Sequence, residues 1–255
     1  MTLNELDAYF RSFLKIENFS NDLAINGIQI ENSDPSGKII KKIAFAVDAC
    51  EETVEKAALA GADMLFVHHG LFWGHCQAIT GSHYKRIAGF IKNDIALFAC
   101  HIPLDANEPY GNNYGLAERL GLKNREPFGT WRGMVLGIKG ELEKEVSVEE
   151  LARMFLGNEQ KPLVVLPFGK KMVRTVGVIS GGAAEDVELA VAEGLDAYIT
   201  GEAGHEIYHF VKESGINFIA GGHYQTETIG VNLIKKKVEN ELGLETVFID
   251  VPTGL

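Results

Sequence analysis

Residues 41–67 read KKIAFAVDACEETVEKAALAGADMLFV and contain one complete strand–helix–strand unit. The run KKIAFAVD predicts a strand whose apolar residues are largely buried. The stretch EETVEKAALAGA has the periodicity of an amphipathic helix, and Gly61 is a residue type that commonly ends one. DMLFV then predicts a second strand. This order is typical of an α/β protein with a largely parallel sheet.

The same alternation extends outward from this unit. Before it, TLNELDAYFRSFL predicts a helix with a capping box of Thr2 and Glu5, and an Asn-Gly turn precedes a short strand or bend at residues 28–30. After it come a helix, RIAGFIKND, and a strand, IALFAC. The middle of the chain predicts a strand (MVLGI), a helix with a second capping box of Ser147 and Glu150, and a strand (PLVVLPF).

From RTVGVIS onward the alternation of strands and helices returns, and this second series resembles the first. A shift of 133 positions places Glu52, Val54, Glu55, Ala57, Gly61 and Asp63 on Glu185, Val187, Glu188, Ala190, Gly194 and Asp196. A shared amphipathic pattern can produce such matches by chance, but the surrounding strand–helix–strand order also matches. We therefore predict an internal duplication that forms two related α/β halves, residues 1–126 and 127–255, with a cleft between them. We expect the halves to form one compact unit. The second half includes a short connecting strand–helix–strand segment and no large inserted domain.

The composition is that of a globular protein, with 46% hydrophobic and 23% charged residues. A net charge of −11 argues against non-specific binding to nucleic acids or to an anionic membrane. The 3 cysteines show no CxxC spacing, which argues against a disulfide framework or a thiolate zinc site. The charged N-terminal stretch does not resemble a signal peptide, and no apolar run approaches the ~20 residues of a membrane span. We therefore expect a soluble cytoplasmic protein.

Histidines stand at the ends of three predicted strands. His68 and His69 end MLFV, His101 follows IALFAC, and His223 follows INFIA after two glycines. In open α/β sheets, ligand sites lie beyond the carboxyl ends of the strands. A single histidine there could be an ordinary loop residue, but three strands that deliver histidine to the same edge predict a shared site.

Carboxylates accompany two of these histidines. Asp105 lies four residues after His101, and Glu227 lies four residues after His223. The adjacent histidine pair is difficult to place on one ion, because neighbouring side chains of a strand point to opposite faces. Two ions side by side, bridged by a carboxylate, remove this difficulty and could activate a water for hydrolysis. Such a donor set suits zinc, iron, manganese, cobalt or nickel.

The segments VHHGLFW, CHIPLD and GGHYQTE resemble the three signature segments of the dinuclear-metal-centre family of GTP cyclohydrolase type 2 homologues, the NIF-three-like proteins. The resemblance extends from NGIQI near the start, through TGE at residues 200–202, to VFIDVP near the end. It implies five metal ligands: His68, His69, Asp105, His223 and Glu227. It further implies that Glu227 bridges the ions, that His101 carries protons beside them, and that the chain forms a ring-shaped homohexamer.

The expected function follows from this site. We predict a dinuclear metal-dependent hydrolase that acts on a small, nucleotide-like substrate. Gly70 stands where the family usually has proline, and Ile-Pro replaces Thr-Asn before Leu104, so the substrate preference of relatives is not carried over. Trp73, with the nearby His75 and His83, lies in a segment that either lines the pocket or is solvated. A non-catalytic metal-binding assembly or adaptor protein is the alternative, because no substrate signature stands out beyond the ligands.

A third possibility comes from HEIYH at residues 205–209, which matches the HExxH pattern of zinc metalloproteases. In such a protease His205 and His209 would bind zinc and Glu206 would act as the base. The predicted helix is short, however, and its two histidines lie off its apolar stripe. The preferred interpretation places Glu202 and His205 in the catalytic site, beside the metal ligands.

Overall fold

The computed structural model describes residues 1–156 and 161–255. Its elements are α1 (Leu3–Leu14), β1 (Gly27–Ile30), β2 (Lys42–Asp48), α2 (Glu51–Leu59), β3 (Met64–His69), α3 (Gly81–Asn93), β4 (Ala96–Ala99), α4 (Ile102–Asp105), α5 (Asn112–Arg119), β5 (Lys123–Trp131), β6 (Met134–Ser147), α6 (Val148–Leu156), β7 (Val164–Pro167), β8 (Met172–Val178), α7 (Val187–Ala192), β9 (Ala197–Thr200), α8 (Ile207–Ser214), β10 (Asn217–Ala220), α9 (His223–Leu242) and β11 (Glu245–Phe248). Short 3-10 helices cover Ile16–Phe19 and Ala184–Asp186. Within the described ranges, no helix has the length and apolar character that crossing a membrane requires.

The strands form two mixed sheets, which confirms the α/β class. In the first, of order β1-β4-β3-β2-β11, only the edge strand β1 is antiparallel to its neighbour. In the second, of order β5-β6-β8-β9-β10-β7, the central β8, β9 and β10 are parallel and the outer strands pair antiparallel. The expectation of a largely parallel sheet therefore fits the first sheet and the centre of the second. The antiparallel outer strands of the second sheet come from the middle of the chain.

The sequence did not predict β5 or α5. The strand β5 reads KNREPFGTW and is mostly exposed, so it lacks the apolar pattern of a buried strand. It forms because it pairs with β6 in a hairpin, a tertiary contact that overrides weak local preference. The predicted capping box at the start of α1 is confirmed, since Thr2 and Glu5 form both of its hydrogen bonds. At α6 only half of the second box is present, because Ser147 accepts the backbone N–H of Glu150 while the Glu150 carboxylate binds Arg153.

The two sheets repeat one arrangement at the predicted shift of 133 residues. The parallel pairing of β2 with β3 and that of β8 with β9 have the same register: Ile43 with Met64 and Phe45 with Phe66, Val176 with Ala197 and Val178 with Ile199. Gly61 and Gly194 end equivalent helix turns at φ values of 67° and 69°. Since register and turn geometry agree as well as residue types, the repeat extends to the backbone.

An aspartate clamps the start of each repeat. The Asp63 carboxylate accepts the backbone N–H groups of residues 41 and 42 at 2.8 and 3.2 Å. Asp196 accepts those of residues 174 and 175 at 2.9 and 3.0 Å. Each carboxylate thereby ties the start of the second strand of a unit to the start of the first. The matching aspartates in the sequence have a common structural task.

The chain forms two compact units. The first comprises residues 1–104 and 230–251, and the second comprises residues 105–229 and 252–255. Most of α9 and all of β11 therefore belong to the first unit, where β11 pairs with β2. The boundary at residue 126 and the packing of the duplicated halves into one unit stay predictions.

Aromatic side chains fill the core of the first unit. The ring of Phe10 on α1 lies 5.1 Å from that of Phe66 and 4.9 Å from that of Phe98, measured between centroids. Phe66 and Phe98 stack on neighbouring strands at 5.4 Å. All three side chains are fully buried. This packing holds β3 and β4 side by side, so their carboxyl ends have fixed positions.

We expect Asp196→Ala to lower the free energy of unfolding by about 2 kcal/mol and Asp63→Ala by about 1 kcal/mol, because lost hydrogen bonds to a charged group cost more when buried. The Asp196 side chain is 6% exposed, against 24% for Asp63. Urea unfolding at neutral pH measures both losses. Equal losses would show that burial does not set the cost.

The pH dependence gives a further measure of the Asp196 clamp. Burial alone raises the pKa of Asp196, but Lys170 and the two N–H donors outweigh it and hold the pKa below the ordinary 3.8. The carboxylate therefore contributes its full stabilisation above pH 3.8 and loses it as the pH falls through the folded-state pKa. The difference in the free energy of unfolding between the wild type and Asp196→Ala should therefore become smaller as the pH falls below 3.8.

Candidate metal centre

Three histidine rings lie together at the carboxyl ends of β3 and β4. The ring centroids of His68, His69 and His101 are 4.6 to 5.6 Å apart. One ring nitrogen from each lies within 4.8 Å of the others, a spacing at which all three could bind one ion. His68 and His69 do not diverge as neighbours inside a strand would, because His69 is the last residue of β3.

Each of these rings has its Nδ1 at hydrogen-bond distance from an oxygen. The acceptors are the carbonyl of Cys100 for His68 (2.9 Å), the carboxylate of Asp48 for His69 (2.8 Å) and that of Asp22 for His101 (2.9 Å). An oxygen acceptor assigns the proton to Nδ1 in the neutral ring. The lone pair is then on Nε2, which is the state in which histidine binds a metal. The donor set therefore fits a divalent metal ion.

Asp22 lies against this histidine group, a position that the sequence did not predict. Its side chain is 1% exposed and accepts hydrogen bonds from the backbone of Ala24 and Ile102 and from the Asn26 amide, at 3.0, 3.2 and 2.8 Å, in addition to His101. Burial alone raises the pKa of Asp22, but the hydrogen bond and charge of His101, with the amide donors, outweigh it and lower the pKa. Asp22 is therefore an ionised group that fixes the orientation of His101.

A second group lies in the other compact unit, at the start of α9. His223 is the first residue of this helix, and its Nε2 lies 3.0 Å from an oxygen of Glu227 one turn later. Its Nδ1 lies 2.5 Å from an oxygen of Glu202, which follows β9. Burial alone lowers the pKa of His223, but Glu227 and Glu202 outweigh it and raise the pKa to about 9. These two carboxylates therefore favour positive charge at this position.

Close approach of the backbone to this second group requires glycine. Gly181 has a φ of +67°, and a Cβ there would lie 2.4 Å from an oxygen of Glu227 and 3.2 Å from the Nε2 of His223. The Gly181 N–H donates to the hydroxyl of Thr226, on the same turn of α9. The loop after β8 therefore forms one wall of the His223–Glu227 pair.

Asp105 lies at the end of α4 and is 6% exposed. One of its oxygens accepts hydrogen bonds from the Asn112 amide and the Ser180 hydroxyl, both at 2.8 Å. Asn113 in turn accepts the backbone N–H of Ser180 at 2.7 Å. A buried carboxylate held in this way is a suitable metal ligand with a fixed orientation.

Within the part of the chain that the structure describes, the HEIYH segment lacks the arrangement expected of a zinc metalloprotease. Helix α8 begins at Ile207, so His205 lies in the preceding turn and only His209 lies on the helix. Both histidines are exposed. Among the described residues, neither belongs to a group of three side chains that could hold a metal. The structure brings Glu202 to His223 but leaves His205 at the surface.

The aromatic residues after the histidine pair have different positions. The Trp73 ring lies 5.0 Å from that of His101 and 6.0 Å from that of His69. His75 is exposed, whereas His83 is buried on α3 with its ring against that of Phe72. Of these residues, Trp73 is the one placed against the histidine group.

The family model Duf34/NIF3 (NGG1p interacting factor 3) matches residues 1–254, and the chain therefore belongs to this family. Similar proteins from Treponema pallidum and Archaeoglobus fulgidus, 43% and 40% identical over the whole of both chains, are each named GTP cyclohydrolase 1 type 2 homolog. The crystal structure of TTHA1606 from Thermus thermophilus covers all of both chains with a TM-score of 0.89 at 37% identity. Reduced HcgD from Methanocaldococcus jannaschii covers 98% of both chains with a TM-score of 0.85 at 26% identity.

We expect Asp48→Ala to weaken metal binding about 10–100-fold, because loss of the carboxylate releases the orientation of the His69 ring. Competition with a chelator measures the affinity. Glu52→Ala is the matched control, since Glu52 is an exposed carboxylate that pairs with Lys56 on α2. An affinity of Asp48→Ala equal to that of the control would contradict the role given to Asp48.

Proposed function

We propose that this protein binds two divalent metal ions and uses them to hydrolyse a small, nucleotide-like substrate. The observation that carries the proposal is a shared arrangement of four histidines: His68, His69, His101 and His223 each have Nδ1 held by an oxygen. A structural histidine needs one hydrogen bond, but four repetitions with the same nitrogen are typical of metal ligands and their neighbours.

The proposed ligands are His68, His69, Asp105, His223 and Glu227. They offer imidazole nitrogens and carboxylate oxygens and include no thiolate, a set suited to zinc, iron, manganese, cobalt or nickel. Glu227 is the proposed bridge, because a carboxylate offsets the repulsion between two neighbouring dications. It is also 3% exposed, so its charge is poorly screened by water.

When bound, the ions would lower the pKa of a coordinated water and stabilise the negative charge that develops in hydrolysis. The residues around the ligands have supporting tasks in this proposal. Asp48 orients His69 and Glu202 orients His223, each through Nδ1. His101, which Asp22 orients, carries a proton to or from the reacting group. His205 is exposed, and we propose no direct role for it.

The names of the relatives support the substrate class, since they refer to a GTP cyclohydrolase homologue. A non-catalytic metal-binding assembly or adaptor protein is the competing function.

The ring-shaped homohexamer implied by the family resemblance is part of the proposal. Sedimentation of the metal-loaded protein measures its mass, and the mass of a monomer would contradict the proposed hexamer.

We expect the purified, metal-loaded chain to contain two metal ions. Glu227→Gln should weaken the binding of these two ions at least 10–100-fold, because the amide keeps the shape of the proposed bridge but removes its charge. Elemental analysis and metal titration measure both. Glu202→Gln should cost less, since Glu202 acts through His223. His209→Ala is the second control and should keep both ions.

Three results would contradict this assignment. A stoichiometry that stays at one ion in metal excess would remove the dinuclear site. Full binding by Glu227→Gln with loss in Glu202→Gln would place the bridge at the other glutamate. Loss of all metal in His209→Ala would favour the metalloprotease.

Metal removal separates the hydrolase from the adaptor. We expect a panel of nucleotides to be hydrolysed by the metal-loaded protein and not by the stripped protein, with activity restored when metal is added back. Product analysis by chromatography provides the measurement, and circular dichroism checks that the stripped chain stays folded. No turnover with any of the five metals would instead favour the adaptor.

A further inference from the structure

Trp73 presents a defined aromatic surface beside the histidine group. Its indole Nε1–H donates to the carbonyl of Gly70 at 3.1 Å. Because this is the only polar atom of the indole, the ring has only apolar and π surface left to offer a ligand. The ring is partly exposed and lies against His69 and His101. A ligand at these histidines would therefore meet the indole.

The segment that carries Trp73 is held in place from β1. The Gln29 side-chain oxygen accepts the backbone N–H groups of Leu71 and Phe72 at 2.7 and 3.3 Å. Its amide nitrogen donates to the carbonyl of Ile25 at 2.7 Å, and the Ile25 N–H donates to the carbonyl of Phe72 at 3.0 Å. These bonds fix the backbone immediately before Trp73, so the indole is placed before any ligand binds.

The segment at residues 22–26 connects this loop to the histidine group. Asp22 holds the His101 ring, and the side-chain oxygen of Asn26 accepts the His101 backbone N–H at 2.7 Å. Between them, Leu23 and Ile25 are 50% and 48% exposed. An exposed apolar edge therefore lies in the same segment that supports His101. This combination suits a ligand with both a polar group and a flat apolar group.

We propose that Trp73 is a specificity-determining residue that stacks on the planar heteroaromatic ring of the substrate. The inference rests on the proposed function and defines its substrate class, namely compounds in which such a ring is joined to an anionic or hydrolysable group. Every nucleobase has a π face, so stacking on an aromatic side chain tolerates different bases. Removal of such a platform is expected to weaken binding about tenfold.

Two probes that share a ribose phosphate, one with a base and the other with a hydroxyl in its place, test this directly. Guanosine 5′-monophosphate and ribose 5-phosphate carry the same phosphate, and both are titrated into metal-loaded protein by calorimetry. We expect the nucleotide to bind at least about tenfold more tightly. Trp73→Leu should weaken nucleotide binding about tenfold and leave ribose 5-phosphate within about twofold, whereas Trp73→Phe keeps most of the affinity. Trp131→Leu is the matched control and should change neither.

Fluorescence provides a measurement that does not need removal of Trp73. The chain has 2 tryptophans, so Trp131→Phe leaves Trp73 as the single reporter. The nucleotide, but not ribose 5-phosphate, should quench its emission. Any one of three results would overturn the inference. These are equal affinity of the wild type for both probes, unchanged nucleotide affinity in Trp73→Leu, and Trp73 emission that does not change when the nucleotide is added. Failure of the proposed hydrolase would appear separately, as absent turnover or a single ion per chain, because these titrations measure binding alone.

Discussion

The hydrogen bond from histidine Nδ1 to an oxygen is the interaction on which the candidate site depends. It fixes two properties together, the position of the ring proton and the rotation of the ring, and both must be right before Nε2 can bind a metal. For His68 the acceptor is a backbone carbonyl, which no side-chain substitution removes. For His69, His101 and His223 the acceptors are carboxylates. The site therefore depends on residues that would not themselves touch an ion.

The duplication explains where these residues lie. Both units place parallel strands in the same register and clamp them with an equivalent aspartate, so equivalent strand ends become available for chemistry. At the shift of 133 residues, Glu202 occupies the position of His69, and Gly201 that of His68. One repeat thus carries histidines at this strand end and the other carries a glycine and a carboxylate. The two repeats share a backbone arrangement and differ in the side chains at these strand ends.

Local sequence signals predicted the regular elements well where burial and periodicity agree. The strands β2 and β3 and the helix α2 follow from apolar runs, amphipathic spacing and glycine ends. The strand β5 could not be predicted, because its exposed and charged residues become a strand only through pairing with β6. The position of β11 beside β2 is likewise a pairing between distant parts of the chain. HEIYH is the opposite case, in which a sequence motif is complete but the structure does not support it. The helix α8 begins inside the motif, and both histidines of the motif are exposed.

The sequence by itself determined the α/β class and the repeat, because these depend on residue type and spacing. The rule that ligands gather at the carboxyl ends of parallel strands predicted a shared histidine site, and the family resemblance implied the five ligands. Among the residues that support the histidines, the sequence placed Glu202 beside the ligands, and the tertiary structure decided the others. Asp48 ends β2 and could have been sought by the same rule, but Asp22 lies in an irregular segment far from His101 in the chain. Trp73 likewise acquires its place only through Gln29 and residues 22–26. Hydrogen bonds between distant segments leave no periodic pattern in the sequence, and they form only when the folded chain brings donor and acceptor within about 3 Å.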